Sequence, residues 1–406
     1  MSEIEVRPSR DLVDLRRALA QISHYFGNEP DEEGAEHFAR NIELARMHAA
    51  WDGEAIVGGA GAFSFGLTVP GGAEVPTAGV TVVGVAPTHR RRGVLTAMMR
   101  AQLDDAHGRG EPLALLWSSE PGIYGRFGYG MASLAGEIEL PREHNRFAVP
   151  FERRGSVRTV ETEEALELFP PIYDAVRRET PGMLARSRSW WEHRKLHDDP
   201  KWRRGGGPLS LVVLELEGAP AGYAAYRIHA GWENGINSGH VKVLDAFGTT
   251  PEATAEIWRF LLDLDWIAKV KTSFVPADHP LVFLLAEPRY LGLRLADALW
   301  CRLVDVEAAL TARTYASDDA IVFELRDASC PWNEARWRLE GGHPQRTKGP
   351  AEIALDVSAL GSVYLGGFTF GELARGLRIE ELVPGAVERA DAIFATSRLP
   401  WCPEIF

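Results

Sequence analysis

The 406-residue sequence predicts an α/β (α+β) protein of more than one domain, and three observations carry that prediction. A β-branched strand beginning at Thr81 runs into a basic turn and then an amphipathic helix. A strand–helix pair of the same order recurs at Val241–Leu262, and past Pro288 the chain breaks into short alternating strands followed by helices. Strands interleaved with helices are the pattern of layered α/β folds, and at roughly 150 residues per domain this length suggests two or three.

Taken in order, Ile4–Arg7 reads as a first strand, and Asp11 opens a helix with Leu12, Leu15 and Leu19 on one face. A second helical stretch is expected from about Asp31 to Arg46. His48–Gly53 and Ala55–Phe65 form a hairpin turning at Asp52-Gly53, and Val69-Pro-Gly-Gly72 is the next turn. After the basic turn, Leu95, Met98, Met99, Leu103 and Ala106 give a helix one apolar face until Gly108 and Gly110 stop it. Leu113–Trp117 is the following strand. From Arg158 the pattern restarts: helices over Glu161–Arg178 and Ser187–His197, and strands over Leu209–Glu217 and Gly222–Ile228. The helix after Val241–Phe247 starts by ordinary capping, with Thr249 or Thr250 as cap, Pro251 at its first position and Glu252 in its first turn. In the third region Leu303–Leu310, Ala320–Arg326 and Ala335–Leu339 read as strands, and Thr369–Gly376 and Ala386–Phe394 as helices, giving a mixed sheet with helices on one side.

Composition bounds the function. With 45% hydrophobic and 25% charged residues the chain is ordinary globular material, and a net charge of −13 argues against a nucleic-acid partner while favouring cationic small molecules. Cys301, Cys330 and Cys402 have no metal-ligand spacing, so no metal is expected and a reducing compartment fits. The charged N-terminus lacks the apolar core of a signal peptide, and no stretch approaches ~20 uninterrupted apolar residues, so a cytoplasmic protein without a membrane partner is expected.

The chemistry points to Thr81-Val-Val-Gly-Val-Ala-Pro-Thr-His-Arg-Arg-Arg-Gly-Val-Leu-Thr96. A helix starting near Gly93 leaves its first N–H groups unpaired at the positive end of its dipole, and the arginines reinforce that field. The stretch therefore reads as a phosphate cradle; the competing reading is a solvated basic turn. Arg90-x-x-Gly93 resembles the pyrophosphate turn of GNAT acetyltransferases, with Leu95 where a small residue is usual. Together with Ile123-Tyr-Gly-Arg-Phe-Gly-Tyr-Gly130 and a terminal aromatic residue, Phe406, it is similar to the Eis (enhanced intracellular survival) family. That resemblance implies tandem GNAT-like domains followed by a sterol carrier protein-like domain: a catalytic domain over 1–150, a degenerate copy over 151–287, and a third domain over 288–406 that supplies the C-terminal carboxylate. The copy has Thr249-Thr-Pro-Glu252 in place of the basic turn, and Glu252 would repel a pyrophosphate.

The resemblance further implies acetyl-CoA as co-substrate, held by Val83, Gly84, Val85, Arg91, Arg92, Gly93, Val94, Leu95 and Thr96, with Ser119 and Glu120 past the next strand. Its acceptors are amines of polycationic molecules such as aminoglycosides, a route to antibiotic resistance, and its assembly a homohexamer. Tyr124 takes the general-acid position, its phenol near pKa 10 holding its proton at neutral pH so that it can donate to the departing sulfur, whose thiol lies near 8.5, and Tyr129 is the fallback. The Phe406 carboxylate takes the general-base role, carried by the stiff apolar end Leu399-Pro-Trp-Cys-Pro-Glu-Ile-Phe406. Glu404 and Glu29 are substrate-binding candidates; His24–Glu29 and Asp31–Phe38 offer aromatic walls and carboxylates to a polyamine or form a plain connector. Val82 stands where a bulkier side chain would narrow the acceptor pocket. Protein lysine side chains are an alternative acceptor, and a non-enzymatic protein binding CoA or an apolar ligand is the reading of another class.

Overall fold

The computed structural model describes residues 4–406. The described chain divides into two compact units, one comprising residues 4–133, 298–400 and 405–406, the other residues 134–297 and 401–404.

Unit one opens with β1 (Glu5–Pro8) and α1 (Leu12–Ser23), the latter capped by Asp11, which accepts from Asp14 N. Helix α2 is shorter than the sequence suggests: it runs Glu32–Ala39 from an Asp31 cap, and only a single 3-10 turn follows at Leu44–Arg46. Strands β2 (Met47–Asp52), β3 (Ala55–Thr68) and β4 (Glu74–Val85) form a meander whose first turn falls at Gly53 and whose second uses Gly71 and Gly72 at positive φ. Next come α3 (Val94–Gly108), β5 (Leu113–Trp117), the short α4 (Pro121–Tyr124) and β6 (Gly130–Met131).

Unit two holds β7 (Leu134–Pro141), β8 (Ser156–Thr159), α5 (Thr162–Arg177) and α6 (Arg188–Trp190), which continues as a π-turn. Strands β9 (Ser210–Leu216) and β10 (Ala219–His229) are followed by a small β11–β12 pair (Trp232–Glu233, Ile236–Asn237), β13 (His240–Gly248) and α7 (Pro251–Leu262). The cap of α7 is Thr250, whose hydroxyl accepts from Ala253 N. Strand β14 (Lys269–Pro276), α8 (Leu281–Leu284) and β15 (Arg294–Asp297) complete the unit. Its seven strands run in the order β15-β7-β14-β13-β10-β9-β8, and α7 buries Ile257, Trp258, Leu261 and Leu262 against one face.

The chain then returns to unit one with β16 (Leu299–Leu303), which pairs antiparallel with both β5 and β6. The first sheet is thus also seven-stranded, in the order β1-β2-β3-β4-β5-β16-β6. The expected strand Leu303–Leu310 is a helix for most of its length: Asp305 accepts from Ala308 N and starts α9 (Val306–Ala312). A five-stranded mixed sheet follows, with β17 (Ile321–Arg326), β18 (Ala335–Glu340), β19 (His343–Arg346), β20 (Ile353–Asp356) and β21 (Ile379–Glu381) in the order β19-β18-β17-β20-β21. Helices α10 (Val357–Tyr364), α11 (Phe370–Arg375, with a Thr369–Glu372 capping box) and α12 (Ala386–Phe394) accompany it. All three cysteines are free and buried. Among the described residues no helix is long and apolar enough to cross a membrane.

Candidate active site

The site is built on a fork in the first sheet. Parallel pairing of β4 with β5 covers only Thr77–Gly79 against Leu113–Leu115, although β4 continues to Val85 and β5 to Trp117. On its other edge β4 carries a bulge: Gly59 faces Gly84 and Gly61 faces Thr81, so Val82 and Val83 both oppose Ala60. Val82 sits at φ +47°, where a β-branched residue is strained. An extra residue raises local twist and bends the strand, which turns the end of β4 away from β5. The β5-facing edge of Val83–Val85 is therefore left without a strand partner and can pair with an extended amide chain, except at the Val85 carbonyl, which accepts from the Tyr25 hydroxyl at 2.7 Å. Gly84 is required on a different account: a Cβ there would lie 2.7 Å from the backbone of Ile22 in α1.

At the open end of β4 the chain makes a 3-10 turn, Pro87–His89, and enters α3 at Val94, which is buried. Gly93, the N-cap, has φ +85° and open space where a Cβ would stand, so the helix start is bare and accessible. Arg91 is exposed and left-handed at φ +59°, Thr96 is exposed, and Leu95 is half-buried. Asp52 at the end of β2 holds two residues of the turn: it lies 3.1 Å from His89 Nε2 and 3.3 Å from Arg92 Nη2. Arg90 and Arg91 have no carboxylate partner among the described residues. This is the geometry of an anion site, with positive charge and unpaired helical N–H groups at one exposed spot.

Past β5, Ser119 and Glu120 lie exposed in the loop that starts α4, and the buried Ser118 Oγ has no protein partner. A buried, unpaired hydroxyl at the mouth of a fork suits a bound polar chain. Tyr124 ends α4, buried at 8% exposure, and its ring meets that of Tyr129 edge-on at 6.1 Å. Burial, with the nearby Glu120 charge second, pushes the Tyr124 phenol up to about 12. Tyr129 is fully enclosed, and burial shifts its phenol further upward; its hydroxyl has no partner. Tyr124 retains exposure that Tyr129 lacks.

Gly79, the last β4 residue paired with β5, marks the fork. A Cβ there would lie 2.4 Å from the Phe65 ring and 3.3 Å from the Phe406 ring, so only glycine admits both. Phe406 packs on Phe65 with centroids 5.1 Å apart, and the row continues through Phe63 at 5.7 Å to Phe38 at 5.5 Å. Ala78 and Val80, which flank Gly79 and point to the other face by strand alternation, belong to the cluster that contains Tyr124. The C-terminal ring and the cluster to which Tyr124 belongs thus lie against opposite faces of β4 around Gly79.

Composition did not reveal what holds Tyr124. Arg302 of β16, with no exposure, donates through Nε to the Phe127 carbonyl at 2.9 Å and through Nη2 to both oxygens of Asp327 at 2.7 and 2.8 Å. Asp327 also accepts from Asn333 and from the Ser329 and Cys330 amides. A lone Arg and a lone Asp in separate stretches give no local signal of such a pair. The substrate candidates separate. Glu29 is exposed after the turn in which the Tyr25 hydroxyl donates to Val85 O at 2.7 Å. Glu404 belongs to unit two, where at 3% exposure it is bound to Arg186, to Trp190 Nε1 at 3.0 Å and to Lys195 at 3.7 Å. That carboxylate is spent on internal partners.

Comparison with known proteins gives the family. Residues 5–132 match the family model of an acetyltransferase (GNAT) domain, residues 182–313 that of a second acetyltransferase (GNAT) domain, and residues 306–403 that of a sterol carrier protein domain. N-acetyltransferase Eis of Mycobacterium tuberculosis is 36% identical over 86% of this chain and 85% of its own. The chain belongs to the Eis-like GNAT N-acetyltransferases. An uncharacterised N-acetyltransferase of Streptomyces avermitilis is 43% identical over 90% of both chains. The crystal structure of Eis1 from Mycobacterium abscessus superposes with a TM-score of 0.86 at 34% identity, covering 99% of this chain and all of that one. The chain is accordingly an acetyl-CoA-dependent acyltransferase.

Proposed function

We propose that the protein transfers an acetyl group from acetyl-CoA to amines of polycationic small molecules, aminoglycosides among them, with Tyr124 as general acid and the Phe406 carboxylate as general base. Acetyl-CoA supplies the activated thioester. In this reading Arg91, Arg92 and the amides of Gly93–Thr96 hold its pyrophosphate, the free edge of Val83–Val85 pairs with its amide chain, and Ser119 and Glu120 line the opposite side. The observation that carries the reading is the fork at Gly79, where Phe406 reaches one face of β4 and the Tyr124 cluster the other. A base on the acceptor side takes the amine proton, and an acid on the cofactor side protonates the departing sulfur. A phenol raised to about 12 keeps its proton throughout the working range, so its O–H is present to donate to the sulfur as negative charge develops there.

The aromatic row Phe38, Phe63, Phe65 and Phe406 forms the acceptor wall on this account, and Glu29 is kept as an exposed carboxylate that a cationic acceptor could meet. The catalytic role belongs to residues 1–150, the degenerate GNAT copy to 151–287, and the supply of the carboxylate to 288–406. The wider reading is a cytoplasmic homohexamer whose activity would confer antibiotic resistance. The test is thiol release from acetyl-CoA by protein with a free C-terminus, against aminoglycosides, simple polyamines and lysine peptides. Turnover with aminoglycosides is expected; turnover with lysine peptides alone would redirect the assignment to protein acetylation, and acetyl-CoA binding without turnover to a binding role.

A further inference from the structure

Unit two carries a lattice of like charges. One face of its sheet is covered by α7, and part of the other is packed beneath α5 through Phe169, Tyr173, Tyr223 and Phe247. On the remainder of that second face, strand register sets basic side chains directly opposite one another. Arg227 faces Lys242, which faces Lys271; one step along, His229 faces His240, which faces Lys269. Like charges opposite one another in a sheet destabilise it. A chain of net charge −13 had ample carboxylates with which to alternate them.

Compensation is partial. Asp198 binds Arg227 at 2.5 Å, and Glu139 binds Lys269 at 2.6 Å and Lys271 at 3.0 Å. Lys242, His229 and His240 have no carboxylate partner among the described residues; the half-buried Lys242 ammonium donates only to Ser273 Oγ at 2.6 Å. The two imidazoles stack at 4.5 Å with 10° between their planes. The Arg203–Gly207 loop comes close, for a Cβ on Gly206 would lie 2.8 Å from His229 Nε2, and it bears the exposed Arg204 at φ +49°. Three strands about 4.8 Å apart and two residues along each make a footprint of roughly 10 by 7 Å, the size of a small ionised molecule rather than of a polymer.

We propose that this face of the second sheet binds a small multiply charged anion, bearing phosphate, sulfate or several carboxylates, with Lys242, His229 and His240 as its direct partners. Burial and the cations around them already lower both imidazoles: Arg227, Lys242 and Lys271 act on His229, and His229, Lys271 and Lys269 on His240, where Glu139 opposes them. Burial likewise lowers Lys242, with Lys271 and Arg204 adding to it and Glu137 opposing. An anion reverses that field. The imidazoles therefore take up protons as it binds, and affinity rises as pH falls.

The probe is sulfate, whose charge is fixed across the histidine range. The full chain is titrated while the imidazole C–H resonances are followed by NMR, with His229→Gln and His240→Gln assigning the two signals. Sulfate is expected to shift both resonances and to bind about tenfold more tightly near pH 6 than near pH 8, the equivalent of one proton's pKa moving by one unit. Lys242→Met should abolish these shifts yet leave acetyl transfer unchanged, and in sulfate-free buffer its melting temperature should rise, because it removes two like-charge pairs. An Arg91→Ala, Arg92→Ala double variant, which disables the anion site of unit one, should leave the histidine shifts intact. Sulfate binding that disappears with that double variant, unmoved histidine signals, a lowered melting temperature for Lys242→Met, or binding of an oligonucleotide in preference to sulfate would each overturn the proposal.

Discussion

At the scale of single residues, Tyr124 and Arg91 make separable contributions. Tyr124→Phe keeps the ring and its packing on Tyr129 but removes the proton. Turnover should fall by about 10²–10⁴-fold while acetyl-CoA affinity stays within about twofold, as read by single-turnover kinetics beside a binding isotherm. Because burial holds the phenol at about 12, its acid form persists throughout the neutral and alkaline working range. The single-turnover rate should therefore show no descending limb assignable to Tyr124 below about pH 10; a descent that vanishes in Tyr124→Phe would displace that assignment. Arg91→Ala should do the reverse, weakening acetyl-CoA binding by about tenfold or more with little change in the bound-state rate. The basic turn and Tyr124 were legible in the sequence because both lie within contiguous stretches. Glu404 was not: its partner Arg186 is 218 residues away, and proximity to Phe406 along the chain says nothing of which cation a carboxylate meets in the fold.

At the scale of elements, sequence periodicity reported what each segment is more often than what it joins. Helices α3, α7 and α12 and the β2–β3 hairpin appear where spacing, caps and turn residues put them. The stretch Leu303–Leu310 was misread because Leu303-Val-Asp-Val306 alternates like a strand, yet Asp305 caps a helix; the strand proper, Leu299–Leu303, finishes just before it. That strand inserts between β5 and β6, a pairing across well over a hundred residues that no local pattern announces. Its Arg302 then holds the Phe127 carbonyl, so the loop bearing Tyr124 depends on the Arg302–Asp327 pair. Both partners are buried, and breaking such a pair leaves an uncompensated charge. Asp327→Asn should cost roughly 3 kcal/mol in denaturant-induced unfolding of unit one. Any folded fraction should bind acetyl-CoA yet turn over slowly, because the helix start is distant in sequence from the loop that has loosened.

At the scale of the whole molecule, the last six residues are divided: 401–404 cluster with unit two and 405–406 with unit one. Within unit two, Trp401 stacks on Phe247 at 5.4 Å, its Nε1 donates to the Phe274 carbonyl, and Glu404 is clamped by Arg186. Within unit one, the Phe406 ring rests on Phe65 beside Gly79. Each stretch is thus fastened within its own unit. Such fastening makes sense if the carboxylate itself has a place to be. One added residue tests this more sharply than a deletion would. A glycine appended after Phe406 preserves every contact just named and converts the carboxylate to an amide, carrying the new terminus about 3.8 Å onward. The extended protein should unfold at the same denaturant concentration and bind acetyl-CoA as before, while amine acetylation falls at least about a hundredfold, the loss of one positioned base. Undiminished turnover would take Phe406 out of the chemistry and leave it as a packing residue. An equal loss in stability would mean that the terminus serves the fold first.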